Sequence, residues 1–268
     1  MAAEKVLAGR TILVTGGARR VGGEISRHLA TLGARVLVHY HQSAGQAVEL
    51  ASRLPAGGAA FAADLSHAEG PEALFAACAA AGEAPDAVVH AAASFVNRTF
   101  QATTAADWDG VFALNARAFF LLAQQLERRR GESGGDLIAI GDAGGVELWT
   151  GYLAHCVAKA ALMPLVRALA KAMAPRYRVN GVMPGPVLPP PGTTPEERER
   201  MRERTLLKRL GAPAHVARAV EFLLTCDFAT GSWVEVTGGS QLWRGRPVPA
   251  GGGSWSAGGS GRGGREER

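Results

Sequence analysis

Short apolar runs alternate with longer stretches of helical apolar spacing along almost the whole of this chain. The runs lie at 11–15, 34–40, 59–63, 86–91, 136–140, 178–183 and 233–236. The helical stretches lie near 21–32, 44–54, 71–81, 107–129, 152–173, 195–204 and 213–225. The runs are apolar at successive positions, not at every second one, so both faces of each strand are covered. Strands that follow one another through a helix run parallel and cross over right-handedly. Gly33 stands where it would close the first helix, and Pro164 suggests a kink in the long one.

The expected fold class is α/β, a single Rossmann-type doubly wound domain. Its sheet is mainly parallel and seven-stranded, with helices on both faces. An apolar content of 47% is ample for its core. The domain is expected to span 1–243, with a Pro-rich and then charged lid insert at about 184–208. Residues 244–268 are rich in Gly, Arg and Ser and are expected to form a disordered tail. The net charge is 29 − 24 = +5, and much of the excess sits in Arg128, Arg129, Arg130 and the tail. That placement reads as solvated helix end, so nucleic acid is not an expected partner. No run of eighteen apolar residues and no signal-peptide core is present, so no membrane span is expected. Cys78, Cys156 and Cys226 are odd in number and embedded in apolar patterns. They read as reduced packing residues of a cytoplasmic protein, and no Cys/His spacing suits a metal.

Chemistry concentrates at turns after the strands. Gly16, Gly17 and Gly22 join the first strand to the first helix around Arg19, Arg20 and Val21. Such a turn brings main-chain N–H groups to a pyrophosphate at a helix N-terminus. A site for NAD would carry Asp or Glu after the second strand to hold a ribose hydroxyl. Positions 39–43 carry none. Arg19, Arg20, His41, Gln42 and Ser43 instead offer cations and donors to a 2′-phosphate, or simply form a polar surface turn. Asp64 and Leu65 follow the third strand, where Asp64 could also cap a helix. His155 and Lys159 are four residues apart on one helical face, and Asp142 can reach them from a strand end.

The stretch from Gly141 to Leu162 resembles the active-site segment of the short-chain dehydrogenase/reductase family. The family places a Ser thirteen residues before a Tyr and a Lys four residues after it; here they are Asp142, His155 and Lys159. Asp at the first position, Arg20 in the glycine turn and the run His39 to Ser43 are most similar to the pteridine reductase-like branch. The resemblance covers about 9–243. It implies catalytic roles for Asn115, Asp142, His155 and Lys159. It implies cofactor contacts from Gly16, Arg19, Arg20, Val21, His41, Gln42, Ser43, Asp64, Leu65, Ala91, Ala92, Lys159, Pro184, Gly185 and Val187. In the family, the residue matching Val187 hydrogen-bonds the nicotinamide carboxamide. His90 and Ala91 stand for two family asparagines, which implies lost hydrogen bonds in the sheet. Phe95, Asp142 and Tyr152 would face the substrate, with Phe95 and Tyr152 lining a flat pocket. The implied activity is NADPH-dependent hydride transfer to a C=N or C=O bond of a small molecule, of dihydropteridine or dihydrofolate type. The implied assembly is a homotetramer or homodimer built on 107–129 and 152–173. Because His155 replaces the family Tyr, the alternative is a non-catalytic NADPH-binding sensor or scaffold. A Tyr donor has a reference pKa of about 10 and His about 6.5, so activity through His155 would favour acid.

Overall fold

The computed structural model describes residues 5–243, so the expected tail lies outside the described residues. The strands are β1 (Thr11–Thr15), β2 (Arg35–Tyr40), β3 (Gly58–Ala62), β4 (Ala87–His90), β5 (Gly135–Ile140), β6 (Tyr177–Pro184) and β7 (Trp233–Val236). They form one sheet in the order β3-β2-β1-β4-β5-β6-β7. Every pairing is parallel, beyond the mainly parallel sheet that the sequence suggests. The chain winds outward from β1 to β3 and returns to β4 on the other side of β1. The C-terminal ends of β1 and β4 therefore flank the crevice where ligands of such sheets sit.

Alternation along each strand divides the core in two. Ile12, Val14, Val36 and Val38 face α1 (Arg20–Thr31) and α9 (Pro213–Thr225), packing on Ile25, Leu29, Val220 and Leu223. Leu13, Leu37 and Val88 face the other way, onto Leu74, Phe75, Phe119, Leu122, Leu162 and Val166. These come from α3 (Gly70–Ala80), α5 (Ala118–Arg130) and α7 (Leu153–Met173). α2 (Ala44–Ser52) links β2 to β3.

One helix differs from its expected form. The stretch expected as one helix at 107–129 is α4 (Ala105–Phe112) and α5, joined by a π-helical turn at Ala113–Arg117. Extra residues in a helical turn preserve apolar spacing on either side, so periodicity does not reveal them. A Thr104–Asp107 capping box starts α4. α7 runs unbroken through Pro164. Among the described residues, α7 is also long and apolar enough by composition to cross a membrane, although no uninterrupted apolar run of that length exists. Half of its most apolar window is buried, and Leu162 and Val166 are wholly so.

Two buried histidines fasten the strand ends. His39 Nδ1 accepts the Gly16 N–H at 3.1 Å, and Nε2 donates to the Ala63 carbonyl at 3.1 Å. This joins the glycine turn to the end of β3. His90 Nδ1 lies 2.8 Å from Thr15 Oγ1, and Nε2 donates to the Leu114 carbonyl at 3.1 Å. The hydrogen bonding expected to be lost with the family asparagines is thus supplied by imidazole. Both rings are neutral. Burial pulls His39 from 6.5 to about 4, and burial with the Lys159 charge pulls His90 from 6.5 to about 3.

Folded-state values below the unfolded one mean that the unfolded chain binds protons first as pH falls. The stability from both rings is complete above about 6.5 and is lost as pH drops toward about 4 for His39 and about 3 for His90. The urea midpoint should fall over that window. His39→Asn should flatten the fall, and an equally steep fall in His39→Asn with His90→Asn would refute the assignment.

Candidate active site

Asp142 follows the end of β5 through Gly141, where a Cβ would lie 2.7 Å from the Trp233 ring. The Gly144 N–H donates to Asp142 Oδ1 at 2.7 Å and fixes the carboxylate. Its other oxygen lies 3.6 Å from His155 Nε2. His155 stands in the first turn of α7 and is 2% exposed. Its Nδ1 lies 3.0 Å from the Ser94 carbonyl and 3.3 Å from Asn115 Nδ2. Nδ1 faces a carbonyl, which only accepts, and an amide nitrogen, which only donates, so the ring bonds here in either tautomer. The Asn115 amide nitrogen donates to that same carbonyl at 3.0 Å, and its oxygen accepts the Ser94 N–H at 2.8 Å.

With a hydrogen on Nδ1, a neutral His155 would turn the Nε2 lone pair toward the Asp142 carboxylate. Two acceptors face to face need a proton between them. The His155–Asp142 pair is therefore built to hold one exchangeable proton at Nε2. Among the described residues, Nε2 and Ser94 Oγ are both buried without a hydrogen-bond partner. Such atoms are the natural anchors for a substrate or water. Lys159 lies one turn further on, buried, with Nζ donating to the Ile140 carbonyl at 2.7 Å. Burial lowers it from 10.5 to about 8, opposed by the charge of Asp142. Asn115, Asp142 and His155 thus meet, and Lys159 of α7 backs them, held by the last carbonyl of β5.

Phe95 and Tyr152 come together, but in a different way from the expected lining. Their rings stack on each other at 4.1 Å and 24°. A flat ligand therefore lies against the pair and not between its members. The Phe95 ring meets His155 edge-on at 4.7 Å, and the Tyr152 hydroxyl accepts from Asn97 Nδ2 at 3.1 Å. Trp149 is a further wall residue, edge-on to Phe95 at 6.4 Å. It lies between the short α6 (Gly144–Glu147) and α7, where no periodicity singles it out.

The glycine turn is tight for a reason. Gly16 has φ +62°, and a Cβ there would lie 2.9 Å from the Ala92 main chain. A Cβ on Gly22 would run into the Gly16 carbonyl. No side chain caps α1, so its first-turn N–H groups remain for an anion. Residues Val21 and Ala91 are half-buried beside this turn, and Ala92 is buried. Arg20 has φ +52°, and its guanidinium donates to the Leu188 and Pro189 carbonyls at 3.2 and 3.4 Å. Arg19, His41 and Gln42 are exposed, and half-buried Ser43 precedes α2.

Asp64 binds the Ser66 N–H and hydroxyl through Oδ1, which holds its carboxyl below the usual range. Its Oδ2 lies 3.7 Å from His41 and 3.5 Å from His67, a residue the motif reading missed. The Leu65 side chain is 2% exposed and belongs to the core, which leaves only its main chain for a ligand. Pro184 ends β6, and a Cβ on Gly185 would lie 2.7 Å from Thr237. The N–H of Val187, expected to hydrogen-bond a carboxamide, instead donates to the Gly185 carbonyl at 2.7 Å.

A family model described as Enoyl-(Acyl carrier protein) reductase matches residues 16–241. The chain belongs to the short-chain dehydrogenase/reductase family. The chain is 29% identical to an NADPH-dependent aldehyde reductase-like protein, chloroplastic, of Arabidopsis thaliana, over 87% of this chain and 94% of that one. It is 27% identical to a dihydromonapterin reductase of Enterobacter sp. (strain 638), over 87% and 97%. The crystal structure of FolM Alternative dihydrofolate reductase 1 from Brucella canis, complexed with NADP, superposes with a TM-score of 0.84 at 28% identity. It covers 92% of this chain and 99% of that one. These relatives place the chain in the pteridine reductase-like branch.

Asn115→Ala removes the partner of both main-chain groups of Ser94 and one neighbour of His155. The expected loss of stability is about 1–3 kcal/mol, measured by urea unfolding. A change within experimental error would show that water substitutes for the amide.

Proposed function

We propose that the chain is an NADPH-dependent reductase delivering hydride to a C=N or C=O bond of a small flat substrate of the dihydropteridine or dihydrofolate kind. The observation that carries this reading is the one-proton His155–Asp142 pair beneath the Phe95–Tyr152 stack. NADPH, when bound, supplies the hydride. The glycine turn and the N-terminus of α1 hold its pyrophosphate, and Asp64 with the Leu65 main chain its adenine. Arg19, His41 and Ser43 take the 2′-phosphate, with Gln42 beside them. Ala91, Ala92, Pro184, Gly185 and Val187 bound the nicotinamide end, where Lys159 adds a cation. His155 gives the Nε2 proton to the reduced atom, and Asp142 balances the ring charge. Asn115 and the Ser94 carbonyl keep the ring in place. Flat substrates lie against the aromatic stack, whose outer face gives offset contact. We further propose that the protein acts in the cytoplasm as a homo-oligomer.

The replacement of the family Tyr by His155 favours a second reading, NADPH binding without turnover. NADPH oxidation with dihydropteridines, dihydrofolate, quinones and simple ketones separates the two. Affinity for NADPH should exceed that for NADH, because the end of β2 carries no acid to hold a ribose hydroxyl. His155 is the donor, so kcat should drop in His155→Ala and be kept in His155→Tyr. Full activity in His155→Ala would remove His155 as donor. Binding without turnover on any substrate would establish the second reading.

A further inference from the structure

Glu147 ends the short α6 in the loop between β5 and α7, yet its carboxylate is only 12% exposed. Three separate segments converge on it. The Trp149 indole N–H donates to Oε2 at 2.8 Å. The Ser240 hydroxyl, beyond β7, donates to Oε1 at 2.7 Å. Arg204, at the end of α8 (Pro195–Glu203) in the lid insert, places its guanidinium 3.6 Å from Oε2 and lies over the Trp243 ring at 5.8 Å. The lid base is itself anchored beside Ser240, since Leu206 N donates to the Gly238 carbonyl at 2.9 Å.

We propose that Glu147 is a positioning residue that sets the Trp149 wall of the substrate pocket and couples it to the lid helix. The proposal rests on the reductase reading for its ligand, and its site lies outside the proton-transfer groups. A carboxylate has acceptor sites enough for an indole, a hydroxyl and a guanidinium together. Trp149 has no other hydrogen-bond partner among those found for its indole, and its ring touches both Phe95 and Tyr152 edge-on. Removing the carboxylate frees the wall and the lid at once. The two arms are chemically separable. Glutamine still accepts from the indole and, with the Ser240 hydroxyl turned, still bonds it, but it lacks the charge that holds Arg204.

The test uses the full chain with NADPH and, as probe, the oxidised pterin biopterin. Trypsin reads the lid through cleavage at Lys208, a site that every variant keeps. Glu147→Ala should weaken biopterin binding about tenfold, the scale of one lost charged hydrogen bond, and speed lid cleavage. NADPH affinity should stay at the wild-type value. Glu147→Gln should keep biopterin affinity yet still speed cleavage. Arg204→Met should match Glu147→Gln in cleavage, and combining the two should add nothing. Wild-type cleavage in both Glu147→Gln and Arg204→Met overturns the coupling, and so does strict additivity. Parallel losses of NADPH affinity and melting temperature in Glu147→Gln would show a general structural role and overturn it too. If the wild type binds no biopterin, the pterin reading fails, and the cleavage arms still decide the coupling.

Discussion

One amide side chain holds the peptide on which the active site is aligned. Asn115 accepts the Ser94 N–H and donates to the Ser94 carbonyl, and His155 Nδ1 lies 3.0 Å from the same carbonyl. The position of His155 is thereby set from the loop after β4, not from α7 alone. The amide reaches Ser94 because the helix widens to a π turn at Ala113–Arg117. That turn also presents the Leu114 carbonyl to His90. A single irregular turn therefore fastens the end of β4 twice, once through each neighbour of the widened segment. Irregular helical turns persist where such tertiary bonds compensate for them, often at functional sites.

Three buried histidines show how environment divides one side chain among tasks. His39 and His90 each have an acceptor for one nitrogen and a donor for the other, so a neutral ring satisfies both. Burial drives both values down, and for His39 it outweighs the opposing charge of Asp64. His155 has a carbonyl on one side and a carboxylate on the other. Asn115 Nδ2, 3.3 Å from Nδ1, lets that ring bond in either tautomer. The first two brace strand ends and the third faces the candidate active site, and all three are buried.

Much of this was legible in the sequence, because apolar runs and their order determine a parallel sheet and its switch point. The Asp142, His155 and Lys159 spacing translates directly into one helical face reached from one strand end. What periodicity could not show was the π turn, since the apolar positions on its two sides look like those of one continuous helix. Motif spacing names positions, not side-chain directions, so Arg20 could be assigned to the turn but not to the Leu188 and Pro189 carbonyls it meets. The same limit applies to Phe95 and Tyr152, whose mutual stacking depends on two loops stitched together at Arg98 and Gly151. Glu147 and His67 lie outside any motif, and only folding brings their partners near.

The two departures at the active site are one electrostatic change. A tyrosine donor is neutral and can work beside a buried lysine without adding charge. An imidazolium in the same place adds a second cation one turn from Lys159, which burial already makes harder to keep charged. The cost of two cations in a buried site exceeds what hydrogen bonds to a carbonyl return, unless an anion joins them. Asp142 is that anion, with one oxygen fixed by Gly144 and the other toward Nε2. A serine at 142 would satisfy hydrogen bonding but leave that charge uncompensated, so the proposed proton transfer from residue 155 requires the acid at 142. The pair must therefore be read, and altered, together.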